Sequence, residues 1–166
     1  MMTAIGNVDI AFKPGKRQMG QIEEIVWDAF VLEFGSRYDR IGENVPVWME
    51  YPENRDAVVP SKRRLVSPPS YRIDAIAGNR DNVELIEVKE VGNMTAIGQL
   101  LTYRILFNRC YWGYAGLTMR LVCMRAPPTI LFACECLNIE VTEIGDKVGD
   151  HVKSVRKGRE ALRIEQ

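Results

Sequence analysis

Apolar residues recur through Gly20 to Phe34 (GQIEEIVWDAFVLEF) at Ile22, Ile25, Val26, Ala29 and Phe30, the spacing of one helical face, and Gly35 offers a stop. The pattern then changes. Asn44 to Tyr51 (NVPVWMEY) is short and β-rich, and Pro46 assigns it to a sheet edge or a strand start. Pro52 to Ser70 holds four of the eight prolines and the run Lys62-Arg63-Arg64, and reads as a loop. Tyr71 to Ala77 and Val83 to Glu90 read as strands around the turn GNRDN. Thr95 to Asn108 reads as a helix, with Asn93 or Thr95 as its cap. Leu117 to Arg125 alternates Leu117, Met119, Leu121 and Cys123 against Arg120 and Arg125, as a strand does. Pro127-Pro128 opens a short helix, TILFACECL, and Ile139 to Ile144 closes the core as a strand. From Gly145 the chain turns polar and basic, either a last helix or a frayed tail. The order α, β-meander, α, β, α, β predicts an α/β fold: a mixed β-sheet flanked by helices.

The 166 residues suit one domain with a single core, about residues 20–144, followed by the basic segment 145–166. Lys plus Arg and Asp plus Glu number 22 each, so no global field advertises a nucleic-acid or acidic partner, although local patches stay open. The opening MMTAIGNVDIAFKPGKR lacks an apolar h-region, and no apolar run is long enough to span a bilayer. A soluble, cytoplasmic protein with no membrane partner is the expectation. Four cysteines (Cys110, Cys123, Cys134, Cys136) form no CxxC pair, and the only histidine is His151. That spacing suits neither zinc nor an iron–sulfur cluster, so the cysteines read as small buried hydrophobes in a reducing compartment.

The two central strands carry charges that a core does not need. Strand parity puts Leu85, Glu87 and Lys89 on one face, with Glu84, Ile86, Val88 and Glu90 on the other. A hairpin centred on Arg80-Asp81 sets Gly78 against Val83 and Asp74 directly against Glu87, on the same side of the sheet. Facing carboxylates repel unless a cation lies between them, and hard divalent cations take carboxylate oxygens. The Val88 carbonyl could complete the protein's share of such a site. Lys89 on the same face could orient water or stabilise charge on a phosphorane, the demands of phosphodiester hydrolysis. The bland reading is an exposed hairpin with an Asp–Lys–Glu cluster. Gln99 and Tyr103, at i and i+4, project from one face of the following helix, with Leu100, Leu101, Ile105 and Leu106 as packing. In the first helix, Glu23 borders the apolar stripe and could look toward the sheet as a further acidic ligand. Glu24 points further away and Glu33 lies on the stripe itself.

These residues resemble the PD-(D/E)xK nuclease superfamily, the restriction-endonuclease-like fold: Asp74 in RIDA, then Glu87-Val88-Lys89 in IEVKE, then a helix. The customary Pro before the Asp is Ile73 here, a departure that touches no ligand. Gln99-x-x-x-Tyr103 is similar to the Q-x-x-x-Y motif of the branch holding recombination exonucleases and CRISPR-adaptation nucleases. GQIEEIVW resembles the first helix of archaeal Holliday-junction resolvases, where an acidic ligand follows a Gly by three residues, and this supports Glu23. The resemblance covers Gly20 to Ile144. It implies a nuclease dependent on Mg²⁺ (or Mn²⁺) that hydrolyses DNA in recombination, repair or phage replication. Asp74 and Glu87 would be metal ligands, Lys89 would position the nucleophilic water, and Gln99 and Tyr103 would assist. The iron–sulfur cysteines of some Q-x-x-x-Y relatives are not matched, so no cluster is expected.

A nuclease must also hold a phosphate backbone, and the candidates are Lys62, Arg63 and Arg64 and the tail residues Lys153, Arg156, Lys157, Arg159 and Arg163. Tyr111, Trp112 and Tyr114 could stack single-stranded bases, though core or subunit packing is the plainer role. With no separate recognition domain, structure-dependent cutting is expected, and a homodimer would suit two-strand substrates. The rival class is a non-catalytic binding or structural module that retains the fold. The intact Asp74, Glu87 and Lys89 set discriminates, because a retired site has no reason to keep two facing carboxylates.

Overall fold

A computed structural model describes residues 6–12, 17–47, 71–79, 81–149 and 153. Its elements are β1 (Gly6–Asn7), α1 (Gln21–Phe34), β2 (Arg40–Val47), β3 (Tyr71–Asn79), β4 (Asn82–Val91), α2 (Met94–Cys110), β5 (Tyr111–Trp112), β6 (Gly116–Arg125), α3 (Pro128–Cys136) and β7 (Ile139–Glu143), with residues 145–149 helical. Five strands form a mixed sheet in the order β2-β3-β4-β6-β7. The pairs β2–β3 and β3–β4 are antiparallel, whereas β4–β6 and β6–β7 are parallel. A parallel pair needs a crossover, and α2 and α3 supply the two crossovers here. The fold is α/β, a mixed sheet flanked by helices, as the order of patterns predicts.

Each face of the sheet carries its own core. Alternation sends Val83, Leu85, Met119, Leu121 and Cys123 toward α2 and α3, where Leu100, Leu106, Phe107, Ile130 and Cys134 meet them. The intervening Ile86, Val88 and Val122 meet Val26, Trp27 and Phe30 of α1 on the other face. Asn93 caps α2, its side chain accepting the Ala96 N–H at 3.0 Å. Pro46 sits in β2, which is an edge strand, so its missing N–H withholds nothing from a neighbour outside.

Several boundaries move. β2 begins at Arg40, four residues before the predicted strand, because Arg40 to Glu43 pair with Ala75 to Gly78. The two-residue strands β1 and β5 pair in parallel, too short to carry any pattern in the sequence. They bring residues 8–12 across the sheet, where Gly42 and Gly78 leave room. A Cβ at Gly42 would lie 2.5 Å from the Ala11 carbonyl oxygen, and one at Gly78 would lie 2.7 Å from the Phe12 ring. Cys136 is exposed rather than buried, while the other three cysteines are buried, and all four are free thiols. Ile105 is exposed, although the sequence assigns it to packing. Glu33 is not on the buried stripe; it pairs with Lys147 at 2.6 Å on the surface. Among the described residues no helix is long and apolar enough to cross a membrane.

Candidate active site

The hairpin register holds: Gly78 pairs with Val83, and the ladder runs on to Ala75 and Ile86. There it stops. Continued, it would set Asp74 against Glu87, but β3 leaves β4 at this point while staying paired with β2 as far as Val47 and Tyr71. The Asp74 carboxylate takes up the freed donor, accepting the Val88 N–H at 2.9 Å through Oδ2. Asp74 and Glu87 therefore meet as neighbours across a fork in the sheet, not as a ladder pair. Within a strand the N–H and C=O of one residue point to the same edge, so the Val88 carbonyl also turns toward the fork.

Glu87 is wholly buried, and among the described residues its Oε2 receives no hydrogen bond. Lys89 Nζ stands 2.6 Å from Glu87 Oε1, a close charge-assisted contact, and 3.7 Å from Glu23 Oε1. Burial, then the charge of Asp74, pushes the Glu87 carboxyl up to about 8. Burial raises Asp74 as well, against the opposing pull of the Val88 N–H and of Lys89. Burial works to lower Lys89, but Glu87, Asp74 and Glu23 outweigh it and the ammonium is held above its ordinary value.

Glu84, three residues earlier on β4, is an internal control. It is also buried, on the opposite face. Both its oxygens are satisfied: Arg120 donates to them at 2.9 and 3.0 Å, and Tyr38 donates at 2.5 Å. Glu87, by contrast, has Lys89 at one oxygen and, among the described residues, no hydrogen-bond partner at the other, an arrangement buried polar groups rarely show. Two carboxylates and a turned carbonyl form an oxygen donor set suited to Mg²⁺ or Mn²⁺.

The remaining candidates distribute around this centre. Tyr103, on the buried side of α2, lies close enough to feel the charges of Glu87, Asp74 and Lys89, although burial is the main reason its hydroxyl is raised. Gln99 Nε2 donates to Tyr103 Oη at 3.2 Å, as the i, i+4 spacing predicts. Glu23 reaches the edge of the cluster through Lys89, but its Oε2 accepts the Gly20 N–H at 3.0 Å and so closes the first turn of α1. No group of three His, Cys, Asp or Glu side chains converges as metal ligands among the described residues. Lys62, Arg63, Arg64, Arg156 and Lys157 lie outside the described residues. Of the aromatic trio, Tyr111 is buried, Tyr114 is half-buried against Phe107, and Trp112 is exposed.

Sequence reasoning overlooked a clamp behind the site. Glu43 accepts from Trp27 Nε1 at 2.6 Å and from Arg17 Nε at 2.7 Å, and Arg17 also holds Asp28 at 2.6 Å. It ties the segment entering α1, and hence Glu23, to β2. A cleft of about 470 Å³ opens at the far end of the sheet, lined by Phe30, Phe34, Tyr38, Glu84, Arg120 and Thr142 among others. Its polar floor is the satisfied Glu84–Arg120 network, on the face of the sheet opposite Glu87.

No family model matches this chain, and no curated protein matches it. Among solved structures it is similar to AF1548, a protein of unknown function, at 13% identity and a TM-score of 0.41. That match takes in 75% of this chain and 58% of the other, so the chain spans little more than half of its length.

Proposed function

We propose that this chain is a divalent-metal-dependent nuclease of the PD-(D/E)xK type, hydrolysing phosphodiester bonds of DNA in a structure-dependent manner. One observation supports the reading above the others: the wholly buried Glu87 carboxylate lies beside Asp74, with Lys89 2.6 Å from one oxygen and no hydrogen-bond partner at the other among the described residues. Asp74, Glu87 and the Val88 carbonyl would hold Mg²⁺ or Mn²⁺, which when bound neutralises phosphate charge and makes water a stronger acid. Lys89 Nζ, kept fully charged by its acidic neighbours, orients the attacking water and offsets charge growing on the phosphate. Because Gln99 donates to Tyr103 Oη, the tyrosine keeps its own O–H to give to a phosphate oxygen. Burial of Glu87 and Tyr103 excludes bulk water and strengthens each of these interactions.

The test is incubation of the protein with circular, linear and branched DNA, with Mg²⁺, with Mn²⁺ and with EDTA. Cleavage in the metal arms alone, abolished in Asp74→Ala and Lys89→Ala, is the expected result. If no DNA is cut, or if both variants cut like the parent, the reading fails.

A further inference from the structure

The fork has a second half, on the edge strand. A regular strand sends residues 41, 43, 45 and 47 to one face. In β2, however, Ile41 packs with the α1-side core and Glu43 bonds Trp27 of α1, whereas Val45 and Val47 belong to the α2-side core. β3 does the same: Ala75 and Ala77 face α1, but Ile73 joins the α2-side core. Both reversals fall on one rung. Glu43 pairs with Ala75 and Val45 with Ile73, and the ladder register skips the intervening Asn44 and Asp74. The reversal is absorbed by Asn44, whose φ of 53° is left-handed, a conformation that asparagine and glycine tolerate and β-branched residues resist. Its carbonyl is held by Arg72 Nη1 at 3.1 Å.

We infer that Asn44 is a positioning residue for Asp74. Its left-handed backbone reverses the edge strand at the rung where Asp74 must leave the pleat and turn its carboxylate to the Val88 N–H and the fork. The inference rests on the reading of Asp74 as a metal ligand, but its test does not depend on activity alone. Hydrogen exchange of the Val88 amide would be followed in the metal-free parent and in Asn44→Gly, Asn44→Ala and Asn44→Val, alongside Mg²⁺-induced thermal stabilisation and DNA cleavage. In the Ala and Val variants, Val88 exchange should rise about tenfold while amides of β6 stay protected. Apparent Mg²⁺ affinity should fall by about 10- to 100-fold in the same variants. Asn44→Gly should match the parent within about twofold, since glycine adopts the same backbone. Should Asn44→Val not fold, the Ala and Gly pair decides. Unchanged Val88 protection in Asn44→Ala overturns the inference, whatever the cleavage result. A parent that responds to no metal and cuts nothing sinks the nuclease reading instead, and Val88 still decides the role of Asn44.

Discussion

Glu84 and Glu87 share a strand, a residue type and near-complete burial, yet they behave as opposites. Glu84 is held by Arg120 and Tyr38, so truncating Arg120 strands a buried charge. Arg120→Met should cost about 2–4 kcal/mol in urea denaturation while leaving cleavage per folded molecule unchanged. Glu87 should respond in the reverse sense. Its folded value of about 8 lies above the usual 4.5, so the metal-free fold keeps a proton that the unfolded chain releases. The associated stability is fully present below pH 4.5 and is lost as pH rises through about 8. Melting of the EDTA-treated parent should therefore fall in temperature between pH 5 and pH 8, and Glu87→Gln should flatten that decline. Mg²⁺ at pH 8 should raise the melting temperature of the parent and not that of Glu87→Gln. Equal pH profiles for the two proteins would remove Glu87 from the account. At Tyr103, loss of the hydroxyl in Tyr103→Phe should slow cleavage by about tenfold, with stability altered by less than about 1 kcal/mol.

Helices and strands that repeat a pattern over many residues are readable from the sequence, and so are several contacts of the candidate site. The parity of β4 puts Glu87 and Lys89 together, the hairpin register sets Gly78 against Val83, and the i, i+4 spacing joins Gln99 to Tyr103. What escaped reading depends on partners distant in the chain. The reversal at Asn44 and Asp74 is a property of two strands at once, which the pattern of neither strand alone encodes. The Arg17–Glu43–Trp27 clamp joins a loop, a strand and a helix, so no local spacing encodes it. Asn93 belongs to the readable class, being the cap at the start of α2. Asn93→Ala should cost about 1 kcal/mol of stability by removing one acceptor for the first turn. Because α2 carries Gln99 and Tyr103 several residues further on, cleavage per folded molecule should persist. A loss of activity greater than the loss of folded protein would show that the cap also sets the helix in register with the site.

Across the whole molecule, β4 and β6 form the continuous centre, paired from Asn82 with Gly116 as far as Val91 with Arg125. β2 and the first half of β3 are held to each other but not, beyond Ala75, to the centre. Native-state hydrogen exchange should accordingly be slowest in β4 and β6 and faster at residues 71–73 and 45–47. Equal protection throughout would mean that packing, not the ladder, holds the fork shut. The fork also divides the proposed ligands unequally. Glu87 and the Val88 carbonyl are carried by the sheet's fixed centre, whereas Asp74 is carried by a limb secured chiefly on its outer side. Mg²⁺ accepts only near-octahedral oxygen distances of about 2.0–2.1 Å, while larger ions tolerate longer and looser shells. Discrimination between ions would then reside in how far a two-stranded limb can bend, so that metal preference becomes an elastic property of the sheet edge as much as a chemical property of the carboxylates.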